Sequence, residues 1–453
     1  VLPFTYKCCG PLQTISVKST SFNKKEVGMH YRKMILMFMC FSILFSALAV
    51  LQNQGFSQEE RKLHIAIVGS IENDDPQYNP FVICSPKEVK LLLLEMAESP
   101  MKREEIESRL SSSKTKINDL LRLEIIRQEK DLFYINFPLF TQKDEEIIVK
   151  VAGKYSQHLK ENIQKKKDQI YGLLDKYQPS GIGKDKLAFI AVGCLSLDLG
   201  ALDFLAENGY IIHRPEKPGG SHYVLNAEEV TDFSLKEIYW GCHSDSIDNV
   251  MFMTFGDHHQ STRRYGFPDI LWGLGRNFSL NVPELYKKEL LTLFSDQTDD
   301  LMKEIGDVIC ILKNSSLNLG KIQESSSIGK EKLKHILDFL IKINYVTVKD
   351  EVYSLAVPVF GEADKAMLED IKKIIHGEIL SWLDSYYEQM KIDLKDISAV
   401  KNRVNYKETF NMLWHYFFGY TNKFLAHSGF IYDTYQAPDI QKGYLPAVMI
   451  RRF

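Results

Sequence analysis

The sequence predicts a mostly helical α+β protein made of two tandem copies of one unit. In each copy a small helical head with a β-hairpin leads into a long helix, and a second hairpin follows. Three observations predict this. The octapeptide FLAENGYI, Phe204 to Ile211, returns 220 residues later as FLAHSGFI, Phe424 to Ile431, identical at five of eight positions. Other pairs fall at the same offset without adjustment: Pro138 with Pro358, Phe140 with Phe360, Asp144 with Asp364. Finally, Val151, Tyr155, Leu159 and Ile163 meet Ile371, Ile375, Ile379 and Leu383, an apolar residue every fourth position, as one face of a long helix requires. A chance octapeptide would not bring its surroundings into register.

Composition agrees with a folded chain of several parts. At 453 residues it exceeds one ordinary core, and 45% apolar with 25% charged residues is a globular balance. A net charge of −3 gives no global attraction to nucleic acid or acidic lipid. Seven scattered cysteines contain no CxxC pair and no dense framework, which argues against a zinc ribbon or a disulfide scaffold.

The first methionine is Met29, so residues 1–28 read as a leader that need not be native. Residues 29–49 have the grammar of a signal peptide or membrane anchor: Arg32 and Lys33, an apolar run from Met34, then Ala47-Leu48-Ala49 as a cleavage site. Export or membrane anchoring follows if that segment is real; otherwise the protein is expected in the cytoplasm. Residues 50–85 form an N-terminal extension.

The first head occupies 86–140. Helices are expected at Pro86–Glu98, Lys102–Leu110 and about Lys114–Leu123, punctuated by ESPM and SSS. The strands IIRQE and DLFYI follow, joined at Lys130-Asp131. Helix, helix-turn-helix and hairpin in that order make a winged helix. The second head, 303–360, repeats the plan. There KLKHILDFLIKINYV resembles the recognition helix of ArsR- and MarR-type winged-helix transcriptional regulators, with Leu337 and Leu340 at the leucine positions, Asn344 at the cap, and Tyr345 and Val346 entering the wing. Glu124 departs from the pattern at the first head's cap.

Residues 141–233 and 361–453 complete the units, with long helices at Asp144–Tyr177 and about Asp364–Met390. Gly209 and Gly429 end helices, and the octapeptide is expected to turn from helix into strand, with partner strands after PGG and QKG. The long helices would join the copies as an intramolecular pseudo-dimer, or two chains as a homodimer.

The resemblance implies a third helix in the major groove of double-stranded DNA, with lysine and arginine on phosphates. The candidates are Lys114, Lys116, Arg127 and Lys130 in the first head, and Lys330, Lys332, Lys334, His335 and Lys349 in the second. Charge weighs against it. Pro86–Phe140 holds ten basic and ten acidic residues, Gly306–Phe360 seven and six, where a dedicated DNA-binding domain shows a basic excess. The competing expectation is an exported or anchored interaction module whose winged helices do not touch DNA.

Between the units, 234–302 reads as a β-rich intervening segment. His243, Asp257, His258 and His259 cluster there, but their spacing matches no metal signature and adjacent histidines on a strand face opposite ways. A strand end is the better reading, and no metal or cofactor is assigned. No GxSxG, P-loop or Rossmann glycine run occurs, and Cys84 has no base at readable spacing, so no catalytic residue is assigned either. The reading is of a non-enzymatic binding protein.

Overall fold

One run of elements, a helix, a strand, two helices, three strands and a long helix, occurs twice in the structure, a computed structural model that describes residues 61–178, 181–230, 241–256, 298–436 and 443–450. The first half opens with β1 (Leu63–Ser70) and the short α1 (Pro80–Cys84), which Asn79 caps by accepting from Phe81 N at 2.9 Å. Then come α2 (Lys87–Glu98), β2 (Met101–Lys102), α3 (Arg103–Arg109), α4 (Ile117–Arg122), β3 (Ile126–Glu129) and β4 (Leu132–Ile135). α3 and α4 each start where a carboxylate accepts a backbone N–H three residues earlier: Glu105 from Lys102 at 2.7 Å, Asp119 from Lys116 at 2.8 Å. Val89, Leu92, Leu93 and Met96 of α2 pack on Ile106, Leu120 and Phe133 to close the head.

β5 (Leu139–Phe140) leads into α5 (Gln142–Gln164), α6 (Lys167–Leu174) and α7 (Lys184–Glu207), whose stretch Phe189–Leu199 is π-helical. β6 (Glu216–Lys217) and β7 (Ser221–Glu229) close the first half. The second begins with β8 (Cys242–Ile247) and β9 (Val250–Gly256), then α8 (Thr298–Asn314), β10 (Leu317–Asn318), α9 (Leu319–Ser325), α10 (Lys330–Lys342), β11 (Val346–Lys349) and β12 (Val352–Leu355). It ends with β13 (Val359–Phe360), α11 (Lys365–Asp393), α12 (Ser398–Lys401), α13 (Tyr406–His427) and β14 (Tyr444–Ile450).

Both heads carry a three-stranded sheet in one order, β2-β4-β3 and β10-β12-β11. Both leave the third helix through a left-handed residue, Glu124 at φ 55° and Asn344 at φ 57°. The next amide turns back in each, Ile125 N to Leu120 O at 2.9 Å and Tyr345 N to Leu340 O at 2.8 Å.

Three expectations change. The first long helix breaks at Lys165-Lys166, and beyond the break Lys167 Nζ donates to Gly429 O and the Tyr171 hydroxyl to Phe430 O, so tertiary contacts hold the second segment. The octapeptides end helices at Gly209 (φ 77°) and Gly429 (φ 67°), but no strand follows at Ile211 or Ile431. Both isoleucines are buried instead, and the returning strands do not make simple hairpins with the octapeptide. β7 lies between β1, antiparallel, and β5, parallel; β14 lies between β9, antiparallel, and β13, parallel. So β9, read as part of a separate intervening segment, holds in the second sheet the place β1 holds in the first.

The long helices cross over between halves: α5 packs on α13, and α11 on α7 and α5. Trp382 Nε1 donates to Tyr155 O and Trp414 Nε1 to Leu197 O, each at 2.9 Å, with the two indoles edge to face at 6.1 Å. Lys184–Glu207 is long and apolar enough to cross a membrane by length and composition, and most of it is buried in this core.

Candidate nucleic-acid interface

The second head presents what the sequence placed together. α10 buries Leu333, Ile336, Leu337 and Leu340 in its own head, and that periodicity turns Lys330, Lys332, Lys334 and His335 outward, where all four are exposed. Lys330 and Lys334 stand one turn apart on one side. Lys332 Nζ is paired with Glu304 of α8 at 2.5 Å. The β11–β12 hairpin turns through left-handed Asp350 and Glu351, leaving Lys349 exposed beside Val348 and Val352, which are 46% and 38% exposed at the tip. Among the described residues no hydrogen bond or ion pair ties Val346–Leu355 to anything outside its own head. Four carboxylates, Glu331, Asp338, Asp350 and Glu351, are exposed on the same elements.

The first head ties part of the equivalent surface to the other half. Arg127, on β3, donates from Nη1 to Ile135 O at 2.9 Å and from Nη2 to Asn402 O at 2.7 Å, contacts Glu129, and lies 5.1 Å from the Tyr134 ring centroid. Asn402 and Arg403 belong to the second half. Asn402 Nδ2 donates to Ala97 O at 2.9 Å, and Arg403 pairs with Glu129 at 3.3 Å. Lys217 reaches both Glu124 of this head (3.8 Å) and Glu408 at the start of α13 (3.7 Å). Lys114 falls before α4 rather than on it, and Lys116 is its exposed first cap, with Nζ bonded to Ser113 O at 2.8 Å. Lys130 is exposed at the wing tip. Thus Lys330, Lys334, His335 and Lys349 of the second head are exposed, Lys332 is exposed but paired with Glu304, and Arg127 of the first head is tied across to Asn402.

The histidine cluster divides. His243 lies on β8 opposite Thr254, half-buried, while Asp257, His258 and His259 lie outside the described residues, as does the segment 29–49. Among the described residues no three His, Cys, Asp or Glu side chains are grouped to hold a metal ion. Cys84 is fully buried, and burial pushes its thiol up to about 12 despite Lys90 nearby.

Sequence reasoning assigned no site to one further feature, a 630 Å³ cleft between α7 and α11 that includes Gly200, Phe204, Lys372, His376 and Met449. No protein-family model matches the chain, and no curated protein and no solved structure matches it.

Proposed function

We propose that the chain is a non-enzymatic binding protein of two tandem winged-helix units, paired within one chain through their long helices, and that its second head binds double-stranded DNA. One observation carries the reading. Of two heads with the same strand order, the first has the base of its hairpin tied to the other half through Arg127 and Arg403, whereas among the described residues no hydrogen bond or ion pair ties the second hairpin outside its own head, and that is the head with the lysine-rich helix start. The first head serves as a fixed support, since Arg127 is spent on the Asn402 carbonyl. With Lys330, Lys334 and Lys349 as the phosphate contacts and Lys332 held by Glu304, log affinity should fall against log salt with a slope of roughly −3. The four exposed carboxylates on the same elements keep affinity modest and make low salt the condition of choice.

The test is retention of a mixed-sequence duplex at low salt by the whole chain. Lys330→Glu, Lys334→Glu and Lys349→Glu together should abolish retention, while Lys114→Glu, Lys116→Glu and Lys130→Glu together should leave it. Retention that survives the second-head change sinks the reading.

A second reading is favoured by Arg32-Lys33 and the apolar run after them: an exported or membrane-anchored interaction module. Sequencing the mature N-terminus separates the two. Cleavage after Ala49 removes the DNA reading.

A further inference from the structure

Two helices and a sheet close the 630 Å³ cleft between α7 and α11, a volume in the range of small-molecule sites. Met251 of β9 and Met449 of β14 stand opposite each other in register, so both thioethers lie on one face of the sheet and line the cleft together. Phe204 adds a flat wall. It stacks on His376 with centroids 4.1 Å apart and planes at 23°. Burial pushes the His376 imidazole down to about 4, so this wall carries no charge at neutral pH.

Charge enters from both helices at helical spacing. Asp203 and Glu207 are four residues apart on α7, and Lys365 and Lys372 seven apart on α11, so each pair shares one side of its helix. A Cβ at Gly200 would stand 3.2 Å from Lys372 Cε, so the lysine stem crosses α7 about one turn before Asp203. Opposite charges thus come close across the cleft, yet among the described residues no ion pair within 4 Å joins the two helices there. Asp203 meets His213 instead, Oδ1 to Nδ1 at 2.8 Å, and Lys365 meets Glu362 at 3.9 Å. Lys372 is half-buried with no carboxylate within 4 Å, and taking an ammonium part-way out of water without a counter-charge costs free energy that a ligand anion would recover. A simple anion fits poorly, because Asp203, Glu207, Glu362 and Glu369 all line the cleft. A simple cation leaves Lys372 unmatched. A ligand that carries both charges and an apolar body satisfies both walls and the methionine face.

We propose that this cleft binds a free α-amino acid with an apolar side chain. Its carboxylate pairs with Lys372, its ammonium with Asp203 and Glu207, and its side chain lies against Met251, Met449 and Phe204. The inference uses neither head and stands apart from the DNA reading.

The probe is L-leucine, titrated calorimetrically into the full chain, and saturable binding is expected. Two half-ligands separate the charges: 4-methylpentanoate lacks the ammonium and 3-methylbutylamine lacks the carboxylate. Each should bind at least about tenfold more weakly than leucine. Lys372→Gln should weaken leucine at least about tenfold and leave 3-methylbutylamine unchanged. Asp203→Asn with Glu207→Gln should weaken leucine at least about tenfold and leave 4-methylpentanoate unchanged. The half-ligand each variant still binds shows that its cleft is intact. Absence of saturable leucine binding, a half-ligand as tight as leucine, or variants that leave leucine unchanged would overturn the proposal, as would variants that weaken leucine and the spared half-ligand alike.

Discussion

Among the described residues the first head is held at both its root and its hairpin, the second by its root alone. At the second root, Lys313 pairs with Asp364 at 3.0 Å, lies 3.9 Å from the Tyr177 ring centroid, and donates to Gln178 O. At the first root, Asp144, the residue matching Asp364, accepts from Ser398 N at 2.8 Å. Each head is therefore fastened by a segment of the other half. Only the first is fastened again at Asn402, Arg403 and Lys217. The comparison teaches that matching local sequences set the same elements in both places, whereas the surfaces left open depend on a few side chains reaching across.

The strongest way to break this picture is at the shared centre. Trp414 is fully buried, bonded to Leu197 of the first half and in edge contact with Trp382 of the second. Trp414→Ala should cost about 3–5 kcal/mol. Urea unfolding followed by circular dichroism should still show one transition. Two separated transitions would mean that the halves are independent bodies.

The two sheets should also differ in pH response. Burial raises the Glu228 carboxyl from 4.5 to about 7, with the Tyr416 hydroxyl opposing. The folded state thus holds this proton where the unfolded chain releases it. The stabilisation is full below pH 4.5 and is lost as pH rises through about 7, a change of about 3 kcal/mol. Met449 occupies the matching place in the second sheet and cannot titrate. Glu228→Gln should flatten the fall in unfolding free energy across that window; an unaltered slope would assign it elsewhere.

Much of this fold was legible and much was not. The heads were readable because their signals are local: apolar spacing in α2 and α10, a turn at Lys130-Asp131, a cap position at Asn344. The break at Lys165 and the partners of β7 were not, because they answer to Gly429, Phe430 and β1, which lie far off in sequence. Arg127 and Lys349 look alike as wing bases, and only tertiary contact separates them. Gly200, which lines the cleft, was visible in the sequence, but a small residue on an apolar helix reads first as close packing.

The difference between the wings can be measured directly. Arg127→Ala removes charge-assisted bonds to two carbonyls, at about 1.5–3 kcal/mol. Thr347, its exposed match on β11, should be replaceable by Ala within about 0.5 kcal/mol. Hydrogen exchange should show β3–β4 amides protected far more than β11–β12 amides in the native protein. Similar exchange in both hairpins would erase the distinction on which the open second face depends.

The smallest effect isolates the backbone. Glu124 and Asn344 sit at φ 55° and 57°, a conformation that costs a β-carbon-bearing residue energy, less for Asn, whose short amide tolerates it. Glu124 gains back little from Lys217, 3.8 Å away, because its side chain is 53% exposed. Glu124→Gly should therefore stabilise the protein by about 0.5–1 kcal/mol, and Asn344→Gly should change it by only a few tenths. Denaturation midpoints at constant m-value give both numbers. If Glu124→Gly destabilises instead, the Lys217 contact across to Glu408 is holding the first head more firmly than its exposure implies, and the asymmetry between the heads is electrostatic as well as steric.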